Sequence, residues 1–149
     1  LIDAAPQEWL IGIQVYRVLG LIFLVLYASG DLPGPFAWPA GVGDVAVGLL
    51  AALVARADFN RPSTRFTAVS LWNVLGILDL IVAVAMGLLT VPSPLQRLAF
   101  DRPNELIAVF PLVLIPTFLV PLSLLLHLAS LKKLAGTIRR THHRLGRAH

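Results

Sequence analysis

Four stretches of the chain are apolar around their whole circumference, and short polar or proline-rich stretches separate them. The first runs from about Trp9 to Ser29, the second from about Ala40 to Ala55, the third from about Thr67 to Leu89 and the fourth from about Leu106 to Leu131. A helix needs about 20 predominantly apolar residues to cross about 30 Å of hydrocarbon. The second stretch is short by that measure and the other three are not. None alternates with period two, which argues against an outer-membrane barrel. The pattern predicts an all-α membrane protein: a bundle of four transmembrane helices within residues 1–131, followed by a tail over 132–149.

The connections fit this count. Asp31 to Pro39 reads as a proline-rich turn with aromatics suited to a headgroup layer. Arg56 to Arg65 reads as a short polar loop. Pro92 to Glu105 is longer, and its Leu95, Leu98, Ala99 and Phe100 predict a short helix lying on the interface. The first stretch is too long for a signal peptide, lacks a basic leader and has no small-residue cleavage site after it. The chain begins at Leu1 rather than Met, so further residues are expected upstream, with room for a fifth span. No internal repeat is present.

Composition agrees with the pattern. Hydrophobic residues make up 57% of the chain and charged residues 13%, about half the share found in soluble domains. There is no cysteine, which removes disulfides, thiolate catalysis and Cys-ligated metal. Basic residues are asymmetric: Arg56, Arg61 and Arg65 lie between spans two and three, and Lys132, Lys133, Arg139, Arg140, Arg144 and Arg147 follow span four. The positive-inside rule then places the 56–65 loop and the C-terminal tail in the cytoplasm. The tail has no acid and a weak apolar side (Leu134, Ile138, Leu145), which suits anionic lipid headgroups. It has no stacking aromatic, so nucleic acid is not an expected partner.

Ionisable and amide side chains inside hydrocarbon are costly and therefore informative. They are Gln14 and Arg17 in span one, Asp44 in span two, Asn73 and Asp79 in span three, and His127 in span four. At 1.5 Å per residue from the basic ends, Arg17 lies about 12 Å deep and both aspartates about 16 Å deep, with Gln14 and Asn73 at roughly 8 Å. An intramembrane polar cluster of Arg17 with Asp44 and Asp79, flanked by Gln14 and Asn73, is the central expectation. Arginine suits it, because the guanidinium stays charged and can fork toward two carboxylates. One cation beside two carboxylates leaves one negative charge in excess, which favours a proton on one aspartate. The cluster could equally be structural glue between helices, and Asp44 could sit near a helix N-terminus, favoured by the dipole. His127 is placed near the cytoplasmic surface. It is a candidate haem ligand, against the simpler reading of an interfacial histidine bonded to a neighbour. His142, His143 and His149 fall in the tail.

Gly41, Gly43 and Gly48 give span two a small-residue face. They predict a central helix packed on spans one and three through Gly20 and Gly76, with a homodimer face as the alternative. Pro111, Pro116 and Pro121 recur every five residues in span four. Each removes a backbone donor and frees the carbonyl four residues earlier, so the segment should be kinked or should begin as irregular structure.

Four strings carry a resemblance: Gln14-x-x-Arg17-x-x-Gly20; Leu32-Pro33 with Phe36-Ala37-x-Pro39-Ala40-Gly41-x-Gly43-Asp44-Val45; Trp72-Asn73-x-x-Gly76-x-x-Asp79-Leu80; and Phe110-Pro111-Leu112 through Ile115-Pro116-Thr117 to Pro121 and His127-Leu128-x-Ser130-Leu131. Together they resemble a group of small uncharacterised bacterial polytopic inner-membrane proteins. The resemblance implies topology and bacterial origin, and no activity.

No catalytic triad, phosphate loop, dinucleotide fingerprint or metal-ligand cluster is present, so an enzyme is not expected. No cofactor is expected either, haem on His127 being the alternative. Three functions remain. One is a structural or accessory membrane protein, as a homo-oligomer or within a larger complex. Another is a small oligomeric transporter or channel for protons or cations using Asp44 and Asp79 with Arg17. The last is a haem- or pigment-associated subunit.

Overall fold

The computed structural model describes residues 6–57 and 61–145, with side chains from 137 onward and at position 62 outside the description. The described residues form helices and turns, with no strand. Four helices are long and apolar enough to cross a membrane: Gln7–Ala28, Gly34–Arg56, Ser63–Thr90 and Ile115–Gly136. We label them α1 to α4 in that order. α3 begins one residue earlier, at Pro62, and α4 continues as helix to Leu145.

The surface is inverted relative to a soluble domain. Leu19, Leu49, Leu53, Leu78, Ile81 and Leu125 are exposed, while Gln14, Arg17, Asn73, Ser130 and His127 are buried. Apolar side chains gain nothing by facing each other rather than lipid, so close packing and polar contacts have to hold the helices. Two apolar clusters flank the polar centre. Phe23, Leu32, Phe36, Ala37, Ala40 and Ile107 pack at one end, with Phe23 edge-on to Phe36 at a centroid distance of 5.1 Å. Ile11, Val47, Ala51, Val69 and Trp72 pack at the other.

Several boundaries differ from the sequence reading. The second span is not short. α2 starts at Gly34, because prolines in the first turn cost no intrahelical donor, and Pro39 lacks only a bond back to that same turn. The expected turn over 31–39 therefore shrinks to the few residues before Gly34. Asp44 consequently lies about 15 Å into the helix rather than near its N-terminus.

The expected interfacial helix over Leu95 to Phe100 is absent. Residues 91–105 run as turns and bends, Ala99 takes a positive φ of 58°, and Arg97 and Leu98 both donate back to the carbonyl of Leu89. The positive φ at Ala99 and the bonds back to Leu89 turn the backbone away from a helical path.

The fourth span begins later than Leu106. Residues 106–114 form a short 3-10 turn (Leu106–Ala108) and further turns, and Ile115–Leu119 is wound as a π-helix. The prolines explain both. Pro116 cannot donate to Leu112, whose carbonyl accepts from Ile115 instead at 2.9 Å. Val120 reaches back five residues to Ile115 just ahead of Pro121.

The tail is helical through Leu145, continuous with α4. The side chains of Ile138, Arg139, Arg140, His142, His143, Arg144 and Leu145, and residues Arg147 and His149 entirely, lie outside the described residues, so the expected lipid contact falls there as well.

Candidate functional site: an arginine shared by four helices

The centre of the bundle is built from a local irregularity in α1. Its middle, Ile13–Gly20, is wound as a 3-10 helix, and the buried residues there are Gln14, Arg17 and Gly20. Three residues per turn stack positions i and i+3 above one another. The winding therefore sets these three in one column against α2. Glycines allow the approach. A Cβ on Gly48 would lie 2.8 Å from the backbone nitrogen of Val18, and one on Gly41 would lie 3.3 Å from the carbonyl oxygen of Gly20. A Cβ on Gly20 would run into Asp44.

Arg17 is 3% exposed, and its guanidinium reaches every other span. Nε donates to Asp44 Oδ1 on α2 at 2.8 Å, and Nη2 lies 2.7 Å from the same oxygen. Nη2 also donates to Asp79 Oδ2 on α3. Nη1 meets the carbonyl of Gly76 at 3.5 Å and His127 Nε2 on α4 at 3.3 Å. A guanidinium has five N–H donors in a planar fork; four of these contacts are hydrogen bonds, and the contact of Nη2 with Asp44 is an ion pair.

The network continues past Arg17. Asn73 donates through Nδ2 to the carbonyl of Val69 and to Ser130 Oγ, both at 2.8 Å. That leaves Asn73 Oδ1 as the acceptor facing His127 Nδ1 at 3.0 Å. His127 therefore carries its proton on Nδ1, and its Nε2 lone pair accepts from Arg17. Ser130 also takes a hydrogen bond from Gln7 Nε2 at 2.6 Å. A polar chain thus runs from the start of α1 to mid-bundle: Gln7, Ser130, Asn73, His127, Arg17 and the two aspartates. A second link ties α1 to α4, where the Tyr16 hydroxyl donates to the carbonyl of Leu119 at 3.2 Å and shares a hydrogen bond with Ser123. The Arg65–Glu8 ion pair joins α3 to α1 at the rim, where solvent makes it weak.

A family model described as a domain of unknown function, DUF8737, matches residues 1–135. The chain belongs to that family. No curated protein and no solved structure matches it. The family match ends one residue before Gly136, so it takes in every residue of the network.

Of the residues singled out in the sequence, Arg17, Asp44, Asp79 and Asn73 come together. Gln14 does not join them by a bond. It is fully buried in the same column, but neither its Nε2 nor its Oε1 has a partner among the described residues. His127 is corrected the most. It is not at the surface; the fourth helix runs past Leu131 as a membrane-compatible stretch to Gly136, which moves His127 toward mid-span. It is fully buried, packed on Trp72 at a ring-centroid distance of 4.7 Å and against Gly76. Both of its nitrogens face protein groups, so the ring does not fit an axial haem ligand. Gly76 accordingly faces α4 and not α2, while Gly43 is the glycine that admits Asp79 beside α2.

Sequence reading missed Gln7, Tyr16, Ser123 and Ser130. Seryl and tyrosyl hydroxyls carry no hydropathy penalty large enough to stand out in an apolar run. Their one signal was position: Ser123, His127 and Ser130 recur at helical spacing on one face of α4.

Two adjoining cavities reach the cluster from the end opposite the basic loop. The larger, about 320 Å³, is walled by apolar side chains including Phe36, Leu80, Ala83, Ile115 and Val120, and Asp44 is its acidic lining residue. The smaller, about 170 Å³, is bounded by Arg17, Asp44, Tyr16 and Ser123 among others.

Proposed function

We propose that the protein is an integral membrane protein of structural or accessory type in which the Arg17 centre locks the four helices into one unit. The single observation that carries this reading is that one guanidinium bonds to side chains on each of the other three spans. In hydrocarbon, where apolar contacts between helices give little preference over lipid, such a shared ion is an efficient tie. The multi-pass chain sits in the bacterial inner membrane with Arg56, Arg61, Arg65 and the C-terminal tail on the cytoplasmic side, supported by the positive-inside rule. It acts without a cofactor and without catalysis, as a homo-oligomer or a subunit of a larger membrane assembly.

Removing one partner of a buried ion pair strands the other charge and costs about 3–5 kcal/mol. Arg17→Met should therefore unfold in mild detergent well before wild type. Adding Asp44→Asn and Asp79→Asn to it should restore much of the loss, because no charge is then left uncompensated. If Asp44→Asn with Asp79→Asn, keeping Arg17, expresses and melts like wild type, the reading fails. Stoichiometric co-purification of a second membrane protein supports the accessory role.

A second reading has its own observation. Asp44 borders a cavity while held by Arg17, the arrangement of a site that exchanges a proton or cation. On this reading the protein is a small oligomeric transporter, and proteoliposomes bearing Asp79→Asn should lose a proton or cation flux that wild type supports. The chain from His127 toward Gln7 does not extend that path, because the Asn73 amide holds its protons and cannot relay one.

A further inference from the structure

We propose that the cavity ending at Asp44 is a binding site for a small lipophilic cation, an apolar body bearing one ammonium group whose charge rests on the Asp44 carboxylate. The proposal rests on the Arg17 centre described above and names an occupant for the Asp44 cavity of the second reading, but it requires binding and not movement.

Three features of the cavity select this chemistry. Its volume, about 320 Å³, lies in the range of small-molecule pockets, and its walls are apolar, so the body of the ligand has to be apolar too. Its acidic end has an oxygen to spare. Asp44 Oδ1 takes both contacts from Arg17, and Oδ2 takes no hydrogen bond from the described residues. The charge count is also unbalanced. Asp44 and Asp79 share one guanidinium, and the His127 Nε2 lone pair accepts from Arg17, so the cluster is one cation short of neutral, a place that a proton or an ammonium can take.

The same features exclude the other ligand classes. An anion is repelled, since the one guanidinium already faces two carboxylates. An uncharged tail, such as a lipid acyl chain, would fill the volume but supply no charge, leaving a proton to balance the aspartates. A quaternary or alkylated ammonium fills the volume with its apolar body and brings the missing positive charge to Asp44.

The test uses the full chain in lipid nanodiscs, with empty nanodiscs subtracted. Phenyltrimethylammonium is compared with its neutral isostere, tert-butylbenzene, which has carbon in place of the ammonium nitrogen. The cation should bind saturably, at about one per chain, and at least about tenfold more tightly than the isostere. Ala83→Phe fills the cavity one helical turn beyond Asp79 without touching Arg17, so it should lose the ligand and keep the wild-type melting point. Asp44→Asn should lose it as well. Equal binding of the isostere to wild type makes the cavity a lipid-filled hollow and overturns the proposal. So does undiminished cation binding in Ala83→Phe. The comparison of the two probes on wild type decides the matter even if Asp44→Asn does not fold. Loss of the ligand in Ala83→Phe with intact melting leaves the Arg17 lock standing, so the two ideas fail separately.

Discussion

Asn73 sets the direction of the whole network. Its amide nitrogen is committed to Val69 and Ser130, which turns its oxygen to His127 and leaves the imidazole only one way to be protonated. The His127 lone pair then steadies Arg17 on the face away from the aspartates. Replacing Asn73 with Leu should strand His127 Nδ1 and cost about 1–3 kcal/mol, read as a lower melting point in detergent. Asn73→Asp adds a third acid to the site and should lower stability further, because Arg17 already serves two. The polar residues themselves could be picked out from the chain, because charge inside a hydrophobic run is conspicuous. Their pairing could not. His127 was misplaced because depth was counted from a helix end at Leu131, whereas the apolar helix reaches Gly136.

At the scale of the helices, glycine positions decide which pairs approach. Gly48 meets the backbone of Val18, which cannot yield as a flexible side chain can. Gly48→Ala should therefore push α1 from α2 and destabilise by about 1–3 kcal/mol. Gly87→Ala is the control. Its Cβ would lie 3.8 Å from Phe36, an ordinary contact, and its melting point should stay near that of wild type. Element type was readable along nearly the whole chain, because hydropathy over a span-length window hardly depends on neighbours. Element ends were less so, and prolines were the reason. Pro35 opens α2, whereas after Pro92 and Pro94 the chain turns back so that Arg97 and Leu98 bond to Leu89, a partner that lies outside the segment. The 3-10 stretch in α1 had no sequence mark. It follows from the fit of Gln14, Arg17 and Gly20 against α2.

For the molecule as a whole, the four spans put Ala57, Arg61 and the C-terminal part of α4 with Lys132 and Lys133 toward one end, and the 29–33 and 91–114 connections at the other. The chain has no native cysteine, so single reporters are clean. Ala57 and Ser93 are both exposed. In intact cells a membrane-impermeant thiol reagent should label Ser93→Cys and spare Ala57→Cys, and permeabilisation should expose the second. The reverse pattern would invert the topology.

Hydropathy, charge asymmetry and the absence of cysteine are sums over local composition, so an all-helical membrane bundle and its polar inventory were legible without coordinates. The shared guanidinium, the neutral imidazole under it and the cavity ending at Asp44 each join residues from three or four separate helices. Such meetings depend on helix rotation and end position to within a few ångströms. Those are settled by glycine contacts and proline-broken backbone between segments far apart in the chain, which no local pattern records.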